Sequence, residues 1–108
     1  MPAEKLQELQ RSYPAATLLT EGGYELISLP KLKIVTAGTE AVYDALLCPR
    51  QHSGYDTRLF LDRQVNGRGQ NWKTFPILGK TWWACSLQGI KADQPYLAIL
   101  LAHLRHLQ

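Results

Sequence analysis

The stretch Thr17-Leu18-Leu19-Thr20-Glu21-Gly22-Gly23-Tyr24-Glu25-Leu26-Ile27-Ser28-Leu29 decides the fold class. Two runs with strand-forming residues flank a pair of glycines, and adjacent glycines supply the positive φ values that a two-residue hairpin turn needs. The segment reads as two antiparallel strands, 17–20 and 24–29. Beyond Pro30, Leu32, Ile34 and Thr36 alternate with Lys31, Lys33 and Val35, the period-two pattern of a half-buried strand, and Ala37-Gly38-Thr39 turns the chain again. Val42 to Cys48 is apolar apart from Asp44, as an inner strand is, and Pro49 stops it. The loop from Arg50 to Asp56 leads to a short strand, Arg58-Leu59-Phe60-Leu61. These runs predict an antiparallel meander of four or five strands.

Helices flank the meander. Ala3 to Arg11 carries Leu6 and Leu9 three apart among polar residues, with Pro2 before the first turn and Pro14 ending the element. Near the C-terminus Asp93 reads as an N-cap and Pro95 as a first-turn residue. Leu97, Leu100, Leu101, Leu104 and Leu107 then recur at the spacing of an amphipathic helix. The expected class is α+β: an N-terminal helix, the meander, an irregular segment and a C-terminal helix.

The irregular segment runs from Asp62 to Gly79. It is rich in Gly, Asn and Gln, with isolated apolar anchors at Val65, Trp72, Phe75 and Ile77. A connection this long inside a small domain is more often functional than idle. Trp82 to Leu87 reads as a further strand or extended segment.

Composition narrows the function classes. A chain of 108 residues suits one domain, 1–108, and 45% hydrophobic with 19% charged residues excludes extended disorder. No apolar run reaches the roughly 18 residues that span a bilayer, and the N-terminus lacks a secretory signal pattern, so a cytoplasmic location without membrane insertion is expected. The net charge of +3 comes from basic residues scattered over several elements rather than gathered into a stripe, which disfavours nucleic acid as a partner. No phosphate-cradling glycine motif opens a helix, and no cofactor is expected.

Three residues are candidates for chemistry. Cys85, in Trp82-Trp83-Ala84-Cys85-Ser86, reads either as a nucleophile attacking through its thiolate or as a small core residue between tryptophans. His52 reads as a general base or as a loop histidine bonding its neighbours. Asn71, beside Trp72, is placed to donate to a developing oxyanion, as an amide held by an aromatic anchor would be. Cys48 reads as core. The spacing Cys48-x-x-x-His52 has no second ligand pair after it, so no metal site is expected. His103 and His106 read as an exposed pair favoured by the dipole at a helix C-terminus.

The order of helix, meander, Asn-containing segment, Gly, Cys and closing helix resembles the ubiquitin-conjugating (UBC) fold. The segments Tyr55-Asp-Thr-Arg-Leu-Phe-Leu61, Asn71-Trp72, Ile77-Leu-Gly-Lys-Thr-Trp82 and Leu100-Leu-Ala-His-Leu104 are similar to those of small bacterial UBC-like proteins. The resemblance implies a carrier of a ubiquitin-like protein, received from an activating enzyme by cysteine transthiolation. Cys85 would be the thioester cysteine and Asn71 the oxyanion-stabilising asparagine. The chain departs from that family in lacking a His-Pro-Asn tripeptide, in the longer Asn71 to Cys85 spacing and in having one closing helix. A noncatalytic UBC-like module that binds a ubiquitin-like or other protein is the alternative. A third reading is a nucleic-acid-binding domain using Arg50, Arg58, Arg63, Arg68 and Lys73, with Tyr55 and Trp72 for stacking. The sequence leaves the oligomeric state open.

Overall fold

The computed structural model describes residues 2–36, 38–52, 54–65, 72–85, 87 and 89–107. The first helix, α1 (Pro2–Ser12), buries Leu9 fully. It stops ahead of Pro14, and Gln10 Nε2 donates to the Ala16 carbonyl at 2.8 Å, tethering the turn that follows. Strands β1 (Thr17–Glu21) and β2 (Tyr24–Thr36) form the expected hairpin. Gly22 and Gly23 at its tip have φ of 59° and 84°, the pair of left-handed residues a type I′ turn requires.

The runs on either side of Pro30 are one strand rather than two. Proline has no N–H to give a ladder, so it sits in a bulge between Leu29 and Leu32, where Lys31 adopts φ 55°. The Lys31 N–H donates instead to Asp44 Oδ1 at 3.2 Å on the neighbouring strand β3 (Thr39–Cys48). Pairing with β3 then resumes to Thr36. The next strand, β4 (Arg58–Leu61), is buried at all four positions.

Among the described residues the sheet has six strands where four or five were expected, in the order β1-β2-β3-β4-β6-β5. The difference arises in the segment read as irregular. Trp72–Ile77 is a strand, β5, and it pairs antiparallel with β6 (Lys80–Cys85) through a two-residue turn at Leu78 and Gly79. Beyond β4 the meander order breaks, because β6 inserts between β4 and β5.

The closing helix α2 (Tyr96–Leu107) begins one residue after Pro95, whose carbonyl accepts from the Ile99 N–H at 3.1 Å. Pro95, rather than Asp93, therefore occupies the cap position. Both helices lie on one side of the sheet, where Leu9, Ile27, Leu47, Leu61, Ile99 and Leu100 are at or near complete burial. The opposite side has its own smaller core, built on Leu46, Cys48, Phe60, Trp82 and Ala84. Among the described residues no helix is long and apolar enough to cross a membrane.

Candidate functional site

Strand alternation determines which candidate residues can meet. Along β6, Trp82 and Ala84 belong to the core of the helix-free side, while Cys85, at the end of the strand, packs half-buried against the helix-side core. Trp72 stands opposite Cys85 in the β5–β6 register. The indole Nε1–H of Trp72 is buried and meets no acceptor among the described residues. Asn71 lies outside the described residues; its chain neighbour Trp72 is the residue paired with Cys85.

His52 is on the other side of the sheet. Its backbone pairs with Tyr55 in both directions, at 2.9 and 3.0 Å, around the turn at Gly54. The imidazole is packed among aromatic rings, with centroid separations of 4.5 Å to Tyr24, 5.2 Å to Phe60 and 5.8 Å to Phe75. Burial lowers its pKa and the nearby Arg58 cation lowers it further, against an opposing effect of Glu21. A cavity of about 250 Å³ opens beside it, lined by Glu21, Tyr24, Leu26, Phe75 and Ile77 among others. The sheet thus separates Cys85 from His52.

Arg58 lies between these sites. It is only 2% exposed, its guanidinium sits 4.3 Å over the Tyr55 ring and 4.8 Å over Phe75, and it donates to the Cys85 carbonyl at 3.4 Å. Burial pulls its pKa down, opposed by Tyr55 and the two cysteines. Cys48 is core, as read from the sequence: fully buried, with Sγ 3.4 Å from the Arg50 carbonyl and a thiol pKa raised by burial.

One polar contact, between α2 and the residue ahead of β4, went unforeseen in the sequence. His103, expected at the surface, is 4% exposed, and its Nε2 lies 2.9 Å from Thr57 Oγ1. The signal was present. Ile99, Leu100, His103, Leu104 and Leu107 share the spacing of the buried stripe, so His103 replaces an apolar residue on it.

A second cavity, of about 500 Å³, lies where α2 passes the outer edge of β2, lined by Tyr13, Lys33, Val35, Leu101 and Arg105 among others. Among the described residues no group of three or more His, Cys, Asp or Glu side chains is arranged to hold a metal ion. No protein-family model matches the chain, and no match to it was found among curated proteins or solved structures.

Proposed function

We propose that this chain is a noncatalytic module of the small bacterial UBC-like kind, cytoplasmic, that binds a ubiquitin-like or other protein partner. The observation that carries the reading is the separation of the two candidate catalytic side chains. A base acts on a nucleophile only within hydrogen-bond reach or through one water. Cys85 packs toward the helices while His52 packs into the aromatic cluster across the sheet. Partner binding needs no such convergence. The test mixes the protein with a bacterial ubiquitin-like protein, its activating enzyme and ATP. The expected result is no thiol-sensitive adduct, with binding of the ubiquitin-like protein unchanged by Cys85→Ala; an adduct formed by the wild type and absent from Cys85→Ala would overturn it.

A second reading, transthiolation at Cys85, is favoured by the register pairing of Cys85 with Trp72, the chain neighbour of Asn71. In it the Cys85 thiolate displaces the activating enzyme's thiolate from the modifier's thioester. An amine then takes the acyl group and Cys85 leaves as thiolate. The same assay decides between the two.

A further inference from the structure

The cavity beside His52, on the helix-free side of the sheet, takes its walls from both ends of the strand order. Glu21, Tyr24 and Leu26 of β1 and β2 line it from one end, and Phe75 and Ile77 of β5 from the other. Strands so far apart in a sheet meet only where the sheet curls, and Leu26 and Ile77 do share one buried cluster. Strand parity puts these side chains on one face. Glu21 and Tyr24 are register partners, Leu26 is two residues beyond Tyr24, and Phe75 and Ile77 are two apart. His52 spans the gap, its ring centroid 4.5 Å from that of Tyr24 and 5.8 Å from that of Phe75.

The lining determines what the cavity can hold. Its volume of about 250 Å³ lies below the roughly 300 Å³ at which pockets begin to take drug-sized molecules, so it suits a single ring system. Leu26 and Ile77 are buried, while the rings of Tyr24 and Phe75 are partly exposed and face a flat occupant well. Glu21 is the one ionised group in the described lining, because burial and the Arg58 cation keep His52 neutral at pH 7. Its carboxylate takes part in no ion pair or side-chain hydrogen bond among the described residues. An anion is therefore repelled. A cation is disfavoured in its turn, since Arg50 already stands 5.8 Å over the Tyr24 ring and Arg58 4.8 Å over that of Phe75. An uncharged ring that donates N–H groups to the carboxylate meets neither objection, and two such groups side by side match its two oxygens.

We propose that this cavity binds an uncharged heteroaromatic ring with two adjacent N–H donors, the pattern on the base-pairing edge of guanine. Glu21 accepts both N–H groups, and Tyr24 and Phe75 pack against the ring. Free nucleosides and unpaired bases in a strand carry the same ring, and the test separates them. The site lies across the sheet from Cys85 and goes beyond both readings of that thiol.

Equilibrium dialysis of guanosine against the unaltered protein at pH 7 tests it. Guanosine is expected to bind saturably. Adenosine lacks the paired donors and should bind at least about tenfold more weakly, as should guanosine to Glu21→Gln, each having lost a hydrogen bond to a charged group. Benzamidine, which carries a similar donor pair on a cation, should bind more weakly than guanosine. The ligand comparisons use the unaltered protein, so they stand whatever the variant does to folding. A thymidine tetranucleotide carrying one guanine distinguishes the sources: affinity no greater than guanosine's assigns the site to a free nucleoside, and tighter binding assigns it to a strand. No saturable guanosine binding, equal binding of adenosine, tighter binding of benzamidine, or full affinity in Glu21→Gln would overturn the proposal.

Discussion

The Thr57 hydroxyl joins His103 of α2 to the chain leading into that helix: Oγ1 is 2.9 Å from His103 Nε2 and donates to the Ile90 carbonyl at 2.9 Å. A hydroxyl has one hydrogen. With that hydrogen on Ile90, Oγ1 accepts from Nε2–H, and the imidazole is the neutral Nε2–H tautomer.

Acid is therefore expected to destabilise the fold through this residue. Burial, then His106 and Arg58, lower the His103 pKa from 6.5 to about 4. Between those values the unfolded chain takes up a proton that the folded chain refuses, so the contribution present above pH 6.5 is lost as pH falls to about 4. A shift of this size corresponds to roughly 3 kcal/mol. Urea melts at pH 7 and 4.5 should show a smaller drop for His103→Gln than for the wild type. An equal drop would remove His103 as the source.

The β5–β6 turn holds a leucine where glycine or asparagine is favoured. Leu78 has φ 53°, is 54% exposed, and precedes Gly79 at φ 74°. A side chain in the left-handed region costs about 1 to 2 kcal/mol. Leu78→Asn is expected to raise stability by about 1 kcal/mol and Tm by about 4 to 8 °C. An unchanged or lower Tm in calorimetry would show that the leucine relieves its strain through packing.

Cys48 should be silent in the native protein. It is fully buried, its thiol pKa is raised by burial, and thiol reagents attack the thiolate. In Cys85→Ser, labelling of the remaining thiol with a maleimide should follow global unfolding measured in the same urea series. Rapid labelling without urea would mean that the end of β3 opens locally.

What the sequence made legible follows from how local each signal was. The Gly22-Gly23 hairpin and the leucine spacing of α2 are contained in a few residues, and both were readable. Pro30 was misleading. A proline breaks a regular ladder, but one bulge absorbs it when a neighbouring side chain, here Asp44, takes the displaced N–H. Strand β5 was hidden for another reason: Lys73, Thr74 and Pro76 are exposed on a sheet edge, so the segment shows no clean alternation, and its partner β6 supplies the order. The opposition of Cys85 and His52 depends on strand parity across the whole sheet, which spacing along the chain does not encode.

The bulge in β2 can itself be tested. Lys31 occupies the left-handed region at φ 55°, and its N–H is held by Asp44 Oδ1 at 3.2 Å. Glycine adopts that φ without penalty but loses more chain entropy on folding, so Lys31→Gly should stabilise by a net amount under about 1 kcal/mol. Asp44→Ala removes the acceptor and should cost about 1 kcal/mol. The two effects should be coupled, with Asp44→Ala costing less in the Lys31→Gly background, because relieving the backbone at position 31 makes the bulge less dependent on its carboxylate. Urea denaturation of both single variants and the double variant measures that coupling. A destabilised Lys31→Gly would mean that the lysine side chain, not the backbone bulge, supports this bend in β2.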